Sequence, residues 1–190
     1  MTYTHDYEVE NMIKYANDYE VKAFVTNLGR YNEGELIGEW VVFPIDEDEQ
    51  QELFERIGID EEHEEIFITD YDSELPLYEE FGEYPSLEEL NELAEEIEAM
   101  NGQDIKKMLA IKEYTGGTML ECINDLCNYE LYEDMEPAEY MQQLFEDIEY
   151  EFMRALNGSW FSGYVDIDWD GMFQCEDYAH ETEYGILREC

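Results

Sequence analysis

Fifty-two Asp and Glu stand against nine Lys and Arg in this chain of 190 residues, giving a formal net charge of -43 at pH 7. No other feature restricts the fold so strongly, because self-repulsion on that scale opposes every compact state and must be outweighed by apolar burial. Acidic chains that stay disordered lack apolar and aromatic side chains. Here apolar residues make up 44% and aromatic residues 15%, so the chain is expected to fold. Sixteen Tyr, nine Phe and three Trp are the expected material of its cores, since each buried ring removes about 150 to 250 Å² from water.

The opening MTYTHDYEVENMIKYANDYE is polar, with no cationic start followed by an apolar run, and no window approaches eighteen apolar residues. Neither a secretory signal nor a membrane span is therefore expected. A surface this acidic is repelled by anionic lipid and by nucleic acid. The expectation is a cytoplasmic protein whose partners carry basic surfaces. Cys122, Cys127, Cys175 and Cys190 form no Cys-x-x-Cys pair and have no His at zinc-finger spacing, so reduced structural thiols are expected.

The patterning predicts an α+β fold. After an N-terminal extension over residues 1–20, KAFVTNLGRYNEGELIGEWVVFPI reads as strand, Gly-containing turn and strand. Residues 46–57 read as a helix with anions at its start, and EEIFITDY as a third strand. These make an N-terminal α+β domain over 21–85. Pro85 and Ser86 announce a helix with Leu87, Leu90, Leu93, Ala94 and Ile97 on one side, and two shorter helical patterns follow around 105–114 and 119–126, split by Gly116 and Gly117. They define a helical middle domain over 86–128. A C-terminal α+β domain over 129–190 is expected to hold one long helix from Pro137 to Leu156, then strands in SGYVDIDW and TEYGILRE.

Charge is segregated along the chain. Between Asp46 and Glu98 there are 23 acids and the single base Arg56, and between Glu121 and Glu151 there are 11 acids and no base. Duplex DNA carries one charge per about 1.7 Å of axis, so a net charge of 43 corresponds to roughly 73 Å of duplex. A compact chain of this length has a radius of gyration of only about 16 Å. An elongated or one-sided charge distribution could approach the charge density of DNA, and a decoy for a DNA-binding groove needs no base-edge chemistry, since phosphate contacts supply most non-specific affinity. A solvated acidic surface kept for solubility is the alternative, although solubility requires far less charge.

Other motifs compete with that reading. DIDWDGMFQCED sets Asp166, Asp168 and Asp170 at alternate places, then Gly171, and closes on Asp177, the spacing of an EF-hand calcium loop. It departs from the pattern in ending on Asp rather than the longer Glu, and Gly158, Ser162 and Gly163 break any entering helix. The only imidazoles, His5, His63 and His180, stand in no motif with a nucleophile, and there is no Walker loop or dinucleotide fingerprint. No catalytic residue and no cofactor is nominated.

The segment NLGRYNEGELIGEW, followed by FPI, ITDYDSELP and YPSLEELNELAEEI, resembles the antirestriction family ArdA. The residues that carry the likeness are Asn27, Leu28, Gly29, Tyr31, Asn32, Glu33, Gly34, Gly38, Trp40 and Pro44, then Asp70, Tyr71, Leu75 and Pro76. It is good over about residues 22–98 and looser in GYVDIDWDGMFQCED, where no Arg follows Gly171. The resemblance implies an elongated homodimer of three small domains that mimics bent B-form DNA. It would occupy type I restriction-modification enzymes and block cleavage and methylation on behalf of a mobile genetic element or phage. Glu47, Asp48, Glu52 and Glu55 on the first helix and Glu88, Glu92, Glu95 and Glu96 on the second are the candidate phosphate surrogates. Asn27, Gly29, Tyr31, Asn32, Gly34, Trp40, Asp70 and Tyr71 are expected to serve mainly the fold. Inhibition of another DNA-binding defence complex, such as a CRISPR effector, and a calcium-binding or acidic chaperone-like role remain the alternatives.

Overall fold

The computed structural model describes residues 18–157, 159 and 166–190. The architecture is α+β, and the chain divides into two compact units, one ending at Ile105 and the other beginning at Lys106.

The first unit is built on an antiparallel sheet of three strands, β1 (Lys22–Asn27), β2 (Gly38–Val42) and β3 (Ile66–Tyr71), in the order β2-β1-β3. The predicted turn between β1 and β2 contains a short helix, α1 (Leu28–Asn32). Asn27, fully buried, accepts the Arg30 N–H at 3.0 Å to start it, so a side-chain cap fixes what composition presents as a loop. Two longer helices follow the expected stripes: α2 (Glu47–Ile57) and, after a short α3 (Leu77–Phe81), α4 (Leu87–Ala99). Ala23, Val25, Val41 and Ile68 from one face of the sheet, Leu53 and Ile57 from α2, and Leu90, Leu93, Ala94 and Ile97 from α4 are all buried and supply the apolar interior.

The helix α5 (Gly102–Thr115) carries the boundary and buries Met108, Leu109, Ala110 and Ile111. The second unit continues with α6 (Met119–Asn124), β4 (Tyr129–Glu133), α7 (Pro137–Leu144), α8 (Glu146–Leu156), α9 (Trp169–Phe173), β5 (Ala179–Thr182) and β6 (Gly185–Glu189). Its sheet is antiparallel in the order β4-β6-β5, and its core gathers Tyr140, Met141, Ala179 and Ile186. The expected single helix from Pro137 to Leu156 is broken: Phe145 takes φ -112° and ψ 17° and sets its ring against that core. No strand forms at Asp166–Asp168, because Trp169 opens α9; residues 162–165 of the predicted strand lie outside the described residues.

Aromatic rings fill only part of the cores: Phe43, Phe67 and Tyr140 are buried, and Tyr132, Phe145, Trp169 and Phe173 pack against the core of the second unit. The largest fully buried side chains are all Leu, Ile or Met, whereas Tyr31, Trp40, Tyr78, Tyr84, Tyr114, Tyr150, Phe152 and Tyr178 are exposed. For the tyrosines the physical reason is the phenolic hydroxyl. Buried Tyr requires a polar partner, and at the surface water supplies it.

Candidate functional site: two acidic helices

The N-terminus of α4 is set by a reciprocal cap. Ser86 Oγ accepts the Glu89 N–H at 3.2 Å, and Glu89 accepts the Ser86 N–H at 2.8 Å. The Ser86 N–H, and after it the Ser86 hydroxyl, which donates to the same carboxylate at 2.9 Å, hold the Glu89 carboxyl below its usual range. α2 starts in the same way, with Asp46 accepting the Glu49 N–H at 2.8 Å and Glu49 accepting the Asp46 N–H at 3.0 Å. Each helix therefore commits one acid, Glu89 or Glu49, to the orphan donors of its first turn.

The other acids point outward. At about 100° per residue, Glu88, Glu92 and Glu95 share an arc of roughly 60° on α4, with Glu96 beside them, opposite the buried stripe. All four are exposed, and among the described residues no ion pair reaches them. On α2, Glu47, Asp48 and Glu55 are likewise exposed and outside the ion pairs, whereas Glu52 meets Arg56 at 3.5 Å. Arg56 also donates to Glu39 on β2 at 2.8 Å, which raises the guanidinium's pKa further and ties α2 to the edge of the sheet.

Four cations elsewhere in the two units are held by carboxylates off these faces. Arg30 meets Glu33 at 3.3 Å and Asp60 at 4.0 Å, Lys106 meets Glu133 at 2.6 Å, Arg154 meets Glu151 at 3.4 Å, and Lys22 pairs with Asp72. None of these pairs engages α4, whose outer side carries only negative charge.

A residue that sequence reasoning missed sets the spacing of the two helices. Asn91, on α4, accepts the Ile45 N–H at 2.8 Å and donates to the Ile45 carbonyl at 2.9 Å. Ile45 precedes the Asp46 cap of α2, so one amide clamps the middle of one acidic helix to the start of the other. Its neighbour Glu92 lies on the acidic arc. The only signal at the sequence level is a single Asn in a helix otherwise built of Leu, Glu, Ala and Ile, which is a poor helix former placed where Glu or Leu would propagate better.

The eight signature residues fall around the β1–α1 corner and the edges of the sheet. Asn27 caps α1 and also donates to the carbonyls of Ile57 at 3.2 Å and Gly58 at 2.9 Å. Gly29 lies against the His63 ring, which a Cβ there would meet at 2.3 Å. His63 sits between Glu33 (3.3 Å) and Asp60 (3.1 Å), and these two carboxylates raise its pKa, Glu33 most. Gly34 takes φ +91°, which closes the turn after Asn32. Asp70 accepts the Tyr71 N–H at 3.0 Å, and Tyr71, whose phenol is pushed far up by burial, donates to the Gly82 carbonyl at 2.8 Å. Tyr31 and Trp40 lie on the surface.

The EF-hand-like stretch does not fold as a calcium loop. Asp168 accepts the Gly171 N–H at 2.9 Å and caps α9, which winds Trp169, Asp170 and Gly171 into a helix in the middle of the motif. Asp166, Asp170 and Asp177 are exposed, and among the described residues no group of three or more His, Cys, Asp or Glu converges on a metal position. Among the described residues, no helix is long and apolar enough to cross a membrane.

No curated protein matches the chain. The model of the antirestriction protein family ArdA matches residues 23–187, running past the well-marked segment near the N-terminus and through the C-terminal unit, where the motif likeness is loose. A match over most of the chain, on a fold that turns two helices outward as carboxylate rows, makes this protein a member of the ArdA family of antirestriction proteins.

Proposed function

We propose that the chain is a non-enzymatic DNA mimic that occupies the DNA-binding groove of a type I restriction-modification enzyme and so blocks both cleavage and methylation. One observation supports this above the others. α4 holds six carboxylates in 13 residues, a length of about 20 Å, or about one charge per 3.3 Å. A strand of duplex DNA carries one per about 3.4 Å. Steps of about 4.5 and 6 Å between Glu92 and Glu95 and between Glu88 and Glu92 offer basic side chains a row of acceptors, each able to take a charge-assisted hydrogen bond. In this reading the protein is a homodimer of the bacterial cytosol that shields an incoming mobile element.

The test is a competition titration. Labelled duplex bound to a purified type I methyltransferase core is challenged with the protein at near-physiological salt, and stoichiometric displacement is expected. The Glu92→Gln/Glu95→Gln/Glu96→Gln variant should displace less duplex at equal concentration with an unchanged far-UV circular dichroism spectrum. Absence of displacement by the wild type at large excess would overturn the proposal for that enzyme and turn attention to other DNA-binding defence complexes.

A further inference from the structure

The sheet of the first unit has a second face. Register places Lys22, Phe24 and Thr26 of β1 beside Val42, Trp40 and Gly38 of β2, and Thr26 beside Phe67 of β3. These side chains point away from the face that buries Ala23 and Val25, since successive residues alternate. Phe24 meets Trp40 edge-on with centroids 5.4 Å apart. Phe67 lies between Tyr31 at 5.0 Å and Tyr84 at 6.1 Å. Although Phe67 itself is covered, Tyr31 is 49% exposed, Trp40 41%, Val42 47% and Tyr84 66%. The two aromatic groups occupy neighbouring rows of one sheet face, about 7 Å apart.

Exposed rings gathered on one sheet face offer an interaction site, and charge decides what this one accepts. Asp70 lies in register with Phe24, and Glu83 adjoins Tyr84; both acids are exposed. The Lys22 ammonium already stands 5.2 Å from the centre of the Trp40 ring. A ring face beside a carboxylate is a seat for a cation, and the planar guanidinium, which stacks as well as pairs, fits it better than an ammonium. A second copy of this chain, at the same net charge of -43, brings mainly like charge to that seat.

We infer that this open sheet face is a docking surface for arginine side chains of a basic protein partner. Resting on the proposed function, it assigns that face to the restriction enzyme as a contact separate from the phosphate-like helices.

The experiment compares wild type, Trp40→Leu/Tyr84→Leu and Glu92→Gln/Glu95→Gln/Glu96→Gln in two assays: calorimetric binding of hexa-arginine and of hexa-lysine, and displacement of duplex from the methyltransferase core. Wild type should prefer hexa-arginine several-fold. The aromatic variant should lose that preference, while the acidic variant weakens both peptides alike and keeps it. Each ring at an exposed site is worth about a two- to fivefold change, so the aromatic variant should need roughly tenfold more protein to displace duplex. An unchanged peptide preference in the aromatic variant overturns the inference, and so does unchanged displacement wherever the wild type displaces. If the wild type displaces nothing, the proposed function fails, and the peptide assay alone decides the docking surface. Should the double variant fail to fold, Tyr84→Leu, at the most exposed of these rings, should cost about threefold, and no change there refutes the surface.

Discussion

Replacing Asn91 with Leu tests whether one amide holds the two acidic helices in place. The change removes both hydrogen bonds to Ile45, at 2.8 and 2.9 Å. It leaves every carboxylate of α2 and α4 intact. Each intramolecular hydrogen bond is worth about 0.5 to 1.5 kcal/mol net, so the pair contributes roughly 1 to 3 kcal/mol. Leu regains a few tenths of a kcal/mol over Asn as a helix former. A net local loss of about 2 kcal/mol corresponds to roughly thirtyfold in an opening equilibrium. The direct assay is native-state hydrogen exchange at the Ile45 amide, which should lose protection by about that factor while amides in the middle of β1 change much less. Displacement of duplex from a methyltransferase core should weaken as well, with net charge unaltered. If Ile45 keeps its protection in Asn91→Leu, something else joins the helices and the clamp is refuted.

Three further outcomes are expected. Gly38→Ala sets a Cβ 2.6 Å from the Phe24 ring and 2.7 Å from the Val25 carbonyl, and should cost about 1 to 3 kcal/mol by overpacking, seen as a lower urea midpoint. Ser86→Ala deletes the cap of α4 and should cost about 1 kcal/mol, with fraying of its first turn seen in exchange of the Glu89 amide. The His63 pKa is raised above its ordinary 6.5, so its contribution to stability is fully present below that value and is lost as pH rises through the raised one. Thermal unfolding followed upward from pH 6 should show the decline in wild type and a flatter profile in His63→Gln.

Much of the first unit was legible because its signals are local. Leu87, Leu90, Leu93, Ala94 and Ile97 mark α4 by spacing alone, and Ser86 and Asp46 announce their helices three residues ahead of Glu89 and Glu49. β4 has little strand signal because YELYE holds no β-branched residue and its adjacent Leu131 and Tyr132 break the alternation that marks a half-buried strand. The break at Phe145 has no Gly or Pro to signal it, since the cause is a ring drawn into a core assembled from distant residues. The exposed acids could be nominated from helical phase, which fixes the direction of each side chain. The partner of Asn91 lies 46 positions away, at Ile45, and no local pattern carries such a contact. Tyr84 and Trp40 could not be told from core aromatics, because residue type does not say which face of a sheet a second layer covers.

The carboxylate row on α4 also governs what surrounds the protein before any partner arrives. Six anions along one short helix, with no lysine or arginine among them, should draw cations from the medium. A basic surface that settles onto the row returns those ions to bulk solution, and their gain in mixing entropy drives the association. Binding should therefore tighten in dilute salt and loosen in concentrated salt in step with DNA itself. Under the proposed function, an enzyme would not escape such a competitor through a change in ionic strength, because the same change alters its hold on its own substrate.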